Sequence, residues 1–140
     1  MVVGQPRDLT DVAINNLSFD FLFLMCYALA FSLLCVAGAE ALPPGGLRVT
    51  GFLLSFGAWG AALLDGLENS NLIRALLFAP TERLARTAAL CAWAKFALIL
   101  LCLLYLAAVA YRRNKRAASA LALLAFLLVL APLVRHVAGI

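Results

Sequence analysis

The sequence predicts an all-α, polytopic integral membrane protein: a four-helix bundle of up-down-up-down topology, forming one domain over residues 1–140. Three observations predict it. Hydrophobic residues make up 66% of the chain and charged residues 13%, against about 45–50% and about 25% in a soluble domain. Four apolar runs are each near the roughly 20 helical residues that cross a hydrocarbon core. Short breaks rich in proline, glycine or charge separate them. A mean hydropathy of +1.03 argues against a soluble globular enzyme of this size, and the low charge argues against disorder.

The first helix is expected over 17–39, because Leu17–Ala39 lacks proline and carries one charge, Asp20. Ala37-Gly38-Ala39 has the small residues of a signal-peptide cleavage site. However, 23 apolar residues are too many for a signal peptide, and Asp8 and Asp11 stand where it needs positive charge. A retained span is expected. Pro43-Pro44-Gly45-Gly46 refuses helix continuation. The second helix covers 47–68, with apolar core Leu47–Asp65, and extends through a polar stretch to 78. Pro80 breaks the chain and Thr81 offers a cap. The third helix follows over 84–111, apolar from Ala88 to Tyr111. Arg112-Arg113-Asn114-Lys115-Arg116 is the last break, and the fourth helix covers 117–137, apolar over Ala117–Val134. These runs are twice a membrane strand's length and show no period-two alternation, so they are helices. Loops this short make sequential helices antiparallel neighbours.

The net charge of +4 comes from 11 basic and 7 acidic residues, and its placement matters more than its sum. Even crossings put Arg7, Arg74, Arg83, Arg86 and Arg135 on one side, and Arg48, Arg112, Arg113, Lys115 and Arg116 on the other. The numbers tie, but the dense 112–116 loop carries the stronger retention signal, so it is expected to be cytoplasmic with both termini outside. Arg74, Arg83 and Arg86 lie on a hairpin expected either to protrude past the core or to rest its tip in the headgroups, where they would meet anionic lipid headgroups or an anionic ligand. No basic stripe interleaved with aromatics marks a nucleic-acid reader. Cys26, Cys35, Cys91 and Cys102 sit in apolar runs without a C-x-x-C pair, and there is one histidine. That leaves no ligand set for zinc or a redox pair. Asp65 and Glu68 with the adjacent Asn69 could hold a cation but are too few ligands for a metal site, so no metal and no cofactor is expected.

Ionisable residues inside a membrane are costly and mark the place to look for function. Asp20, Asp65, Lys95 and Arg135, one per helix, lie 19, 18, 17 and 18 residues from the opposite loop. At about 1.5 Å per residue each is about 25–29 Å from the far surface of a core about 30 Å thick. One shallow layer thus receives a charge from every helix. Asn16, Asp20 and Tyr27 share a stripe of the first helix; Gly57, Ala61, Asp65, Glu68 and Leu72 share one on the second. Cys91, Lys95 and Cys102 align on the third. Asp65 and Lys95 are each 15 residues from the hairpin centre at residue 80, so they are expected to pair. The candidate binding layer comprises Asp20, Tyr27, Asp65, Glu68, Asn69, Lys95 and Arg135. For Asp20 and Arg135 the competing reading is a helix-end charge at headgroup level. For Asp65 and Lys95 it is a structural interhelical pair.

Leu64-Asp65-x-x-Glu68-Asn69, followed across the hairpin by Ala94-Lys95-Phe96, resembles a pattern in uncharacterised small four-span bacterial membrane proteins. The resemblance covers mainly residues 57–105. It implies a bacterial inner-membrane bundle in which Asp65, Glu68, Asn69 and Lys95 belong together, and it implies no activity.

The expected function is binding or transport of a small amphiphile or lipid at the shallow polar layer, with membrane lipids as the standing partners. One alternative is a structural or accessory subunit of a larger membrane complex, or a homo-oligomer. Gly57, Ala58, Gly60 and Ala62 offer a small-residue face for internal packing or self-association. The second alternative is a lipid-modifying enzyme using Asp65 or Glu68 as general acid/base beside Lys95. No nucleophile–base constellation accompanies them.

Overall fold

A computed structural model describes residues 7–78 and 81–138, apart from the side chains of residues 7–11, 13, 14, 18, 76 and 132–138. Four helices follow one another: α1 (Arg7–Glu40), α2 (Gly46–Leu77), α3 (Glu82–Arg112) and α4 (Arg116–Ala138). Among the described residues three of them, α1, α2 and α3, are long and apolar enough to cross a membrane. The described apolar stretch of α4, Arg116–Ala131, is shorter.

α1 starts ten residues before the expected position 17. Hydropathy marks where a membrane core starts, whereas backbone hydrogen bonding continues until something breaks it. No proline or glycine interrupts Arg7–Ala37. Its C-terminal end falls at the Pro43–Gly46 break, as expected. α2 has 32 residues, about 48 Å at the α-helical rise, well beyond a core of about 30 Å. Its extension therefore carries the Arg74 end past any core the apolar part can fill. It closes at Phe78, whose N–H donates to the Arg74 carbonyl at 2.9 Å. Pro80, the expected breaker, lies outside the described residues. Thr81 caps α3, its hydroxyl accepting from the Leu84 N–H at 3.4 Å, which satisfies one of the free amides of a helix start. Glu82 and Arg86 pair along the exposed first turns at 2.8 Å.

Paired residues on α1 and α2 run in opposite senses: Tyr27 meets Asp65, and Asp20 meets Asn69. On α2 and α3, Lys95 meets Asp65 and Cys102 meets Leu54, again antiparallel. α4 is tied to α3 by the buried Ser119 hydroxyl, which donates to the Ala107 carbonyl at 3.1 Å. Among the described residues α4 packs on α3 alone and does not return to α1. The expected four-helix bundle is thus an α1–α2–α3 core with α4 laid against one side.

Size is distributed inside out. Ala28, Cys35, Ala39, Ala58, Ala61, Ala62 and Cys102 are buried, while Phe19, Phe56, Leu63 and Leu90 are each at least two-thirds exposed. Lipid tails are as apolar as leucine, so burying large side chains between membrane helices gains little, and small residues let backbones approach. The tightest approach is at Gly51. A Cβ there would overlap the Tyr105 hydroxyl and stand 2.6 Å from its Cζ and 2.8 Å from the Ala39 Cβ. Cys35, Leu42, Ala58, Cys102, Tyr105 and Val109 form one apolar cluster toward the 41–45 loop. Leu24, Ala28 and Ala62, with Tyr27 against them, form a second. Tyr27 links that second cluster to the polar layer, where its hydroxyl meets Asp65.

Candidate functional site

α2 stands between α1 and α3, and its turn Asp65–Asn69 faces both. Three and four residues separate neighbours on one helical face, so Asp65, Glu68 and Asn69 project together. From α1 the Tyr27 hydroxyl donates to Asp65 Oδ2 at 3.0 Å. From α3 the Lys95 ammonium donates to Asp65 Oδ1 and lies 2.7 Å from Glu68 Oε2. The latter is a charge contact without hydrogen-bond alignment. One helical turn further along α2, Asn69 Nδ2 donates to Asp20 Oδ2 at 2.8 Å. Asp65 and Asn69 are buried; Glu68, Lys95, Tyr27 and Asp20 are half-buried. The Phe96 ring centroid lies 5.3 Å from the Lys95 ammonium, within cation–π reach. Phe23 tilts against Tyr27 with centroids 5.7 Å apart.

Six of the seven residues expected in the layer are therefore brought together, and the Asp65–Lys95 pair forms where the hairpin symmetry places it. The side chain of the seventh, Arg135, lies outside the described residues. Two details depart from expectation. Asn16 is exposed, and so is Leu72, so each polar stripe is shorter than its spacing suggests. Tyr27 and Asp20, placed on one stripe of α1, reach different partners on α2. The same arithmetic that paired Asp65 with Lys95 locates the first of these pairs and misses the second by three residues. Tyr27 and Asp65 stand 19 residues either side of residue 46, and Asp20 and Asn69 stand 26 and 23 from it. Phe96 is a contact that sequence reasoning placed only in a motif; its position next to Lys95 was the available signal.

The arginines expected to meet headgroups stay apart from this cluster. Arg74, Arg83 and Arg86 are exposed on the hairpin, with Arg86 on Glu82. Among the described residues no group of three or more His, Cys, Asp and Glu is arranged to hold a metal ion.

Counting formal charges among the described residues, the layer holds three carboxylates (Asp20, Asp65 and Glu68) and one ammonium (Lys95), a balance of −2. Asp65 uses both oxygens on protein partners, so it is the anchor of the cluster. Glu68 shares Lys95 with it. Asp20 has a neutral amide for a partner, which orients the carboxylate without neutralising it. Such an arrangement attracts cations; among the described residues it contains no nucleophile with an adjacent base. No protein-family model, no curated protein and no solved structure matches the chain.

Proposed function

We propose that this chain is a four-span membrane protein that binds, or carries across the bilayer, a small amphiphile with a cationic head. The head would sit at the Asp20–Glu68–Asp65 layer, its tail between the helices. The single observation that carries this reading is the charge imbalance. Among the described residues, carboxylates on two helices exceed the one lysine by two in a segment where unpaired charge is costly. The shallow position of the layer, 17–19 residues from the far loop, suits a head that enters from one surface. In this reading α4 is the fourth span, the membrane is a bacterial inner membrane, and the Arg112–Arg116 loop faces the cytoplasm.

Equilibrium dialysis of the detergent-purified protein with tetraphenylphosphonium tests the proposal. Saturable binding to the wild type is expected. Glu68→Gln and Asp20→Asn should each weaken it at least about tenfold, that is about 1.4 kcal/mol, with helical content unchanged by circular dichroism. Absence of saturable binding, or unchanged binding in both variants, overturns it.

A second reading is favoured by one observation, the use of both Asp65 oxygens on Tyr27 and Lys95. In that reading the cluster fixes helix register and binds nothing. It expects the same variants to lower melting temperature without the wild type ever binding the cation.

A further inference from the structure

The α3–α4 connection is three residues long and has a defined geometry. Asn114 takes a left-handed φ of 56°. The Lys115 N–H donates to the Ala110 carbonyl at 2.9 Å and the Asn114 N–H to the Tyr111 carbonyl at 3.0 Å. Those two bonds are the Schellman closure of a helix C-terminus, with asparagine in the position that tolerates a left-handed backbone. The Ser119–Ala107 bond then ties the first turn of α4 to α3. Arg113 and Lys115 are therefore carried on a turn with little slack.

Both line the mouth of a groove of about 500 Å³. It exists because α4 packs on α3 and not on α1, leaving a seam open along the side of the molecule. Leu106 of α3 forms its floor, Phe31 and Leu34 of α1 one wall, and Leu121 of α4 the other. Its volume lies within the range of about 300–1,000 Å³ typical of small-molecule sites. Its lining is apolar except at the end where the two cations stand, and no carboxylate is among the lining residues. It lies at the opposite end of the helices from the Asp65 cluster.

We propose that this groove is a binding site for an anionic phospholipid. One acyl chain lies on Leu106 between α1 and α4, and the headgroup phosphate is held by Arg113 and Lys115. Each half of the site selects one half of the ligand. An apolar seam open to the side admits a chain from the surrounding bilayer. Paired cations at the α3–α4 loop favour an anionic over a zwitterionic head. A water-soluble anion would gain nothing from the seam, and a neutral chain would gain nothing from the cations.

The test is native mass spectrometry of protein extracted from bilayers of equimolar phosphatidylglycerol and phosphatidylcholine with identical chains. The wild type is expected to retain phosphatidylglycerol preferentially. Arg113→Gln with Lys115→Gln should lower its relative affinity about thirtyfold, equivalent to about 1 kcal/mol per cation. Arg112→Gln with Arg116→Gln removes the same charge from the same loop without touching the lining, and should keep most of the preference. Ala118→Phe, which fills the groove, should reduce retention of both lipids. Added inorganic phosphate should displace neither. Equal losses in the two double variants would mean diffuse loop charge and overturn the site. So would equal retention of both lipids, unchanged retention in Ala118→Phe, or displacement by phosphate alone.

Discussion

Replacing Lys95 with methionine is the perturbation that most directly probes the polar layer. The ammonium is the one cation among the described partners of Asp65 and Glu68, and its side chain is 13% exposed. Methionine keeps most of the volume and the contact with Phe96, so the change is electrostatic. It leaves two carboxylates facing each other in a water-poor interior. Removing one partner of a buried ion pair costs about 3–5 kcal/mol, and partial exposure of Glu68 places the expectation near the lower figure, about 3 kcal/mol. Asp65→Asn is milder. Lys95 keeps Glu68, the asparagine amide still fits between Tyr27 and Lys95, and one charge-assisted bond worth about 1.5–3 kcal/mol is lost. In the double variant Lys95 no longer leaves Asp65 stranded, so the costs should not add. A coupling energy of about 1–3 kcal/mol is expected. Reversible denaturant unfolding in mixed micelles, read by circular dichroism on all four proteins, measures it. Additivity within about 0.5 kcal/mol, or a Lys95→Met cost below about 1 kcal/mol, would refute the argument that this pair is buried and direct.

Three further outcomes follow from the packing. Gly51→Ala should destabilise by about 1–3 kcal/mol in the same assay, the range for overpacking a filled core, because its new methyl meets Tyr105 and Ala39 at once. Tyr105→Phe should be neutral or stabilising, since the buried Tyr105 hydroxyl has no hydrogen-bond partner among the described residues and its removal relieves an unmet desolvation cost; a loss above about 1 kcal/mol would show a partner. Thr81→Ala should cost about 1 kcal/mol and Thr81→Ser almost nothing, as expected for a side-chain cap; equal effects from both would mean the hydroxyl is not the cap.

How much of this was legible in the sequence depends on which kind of distance is involved. Asp65 and Lys95 could be paired by counting because a tight hairpin joins two uninterrupted helices, so separation along the chain becomes depth. The cap at Thr81 and the breaks at 43–46 and 112–116 were legible because proline, glycine and capping residues act locally. The early start of α1 was not, because apolarity reports the surrounding solvent and helicity reports the backbone. Nor was the seam between α1 and α4. Whether a fourth helix closes a bundle depends on the angle at which it leaves a three-residue turn, and no periodicity encodes that angle. The Tyr105–Gly51 approach was hidden for a related reason: nothing about a glycine in an apolar run says which ring will lie over it.

The inside-out sizing of the core has a consequence for how this chain tolerates change. In a water-soluble protein, exchanging large buried side chains is hazardous and the surface is permissive. Here the permissive positions are the phenylalanines and leucines on the outside, whose replacement by another oily residue only rearranges neighbouring fluid chains. The unforgiving ones are alanines such as Ala28 and Ala39, with no exposed area at all. One added carbon at such a position would have to push two helices apart along their length. A substitution map of this protein should therefore be darkest at its smallest letters.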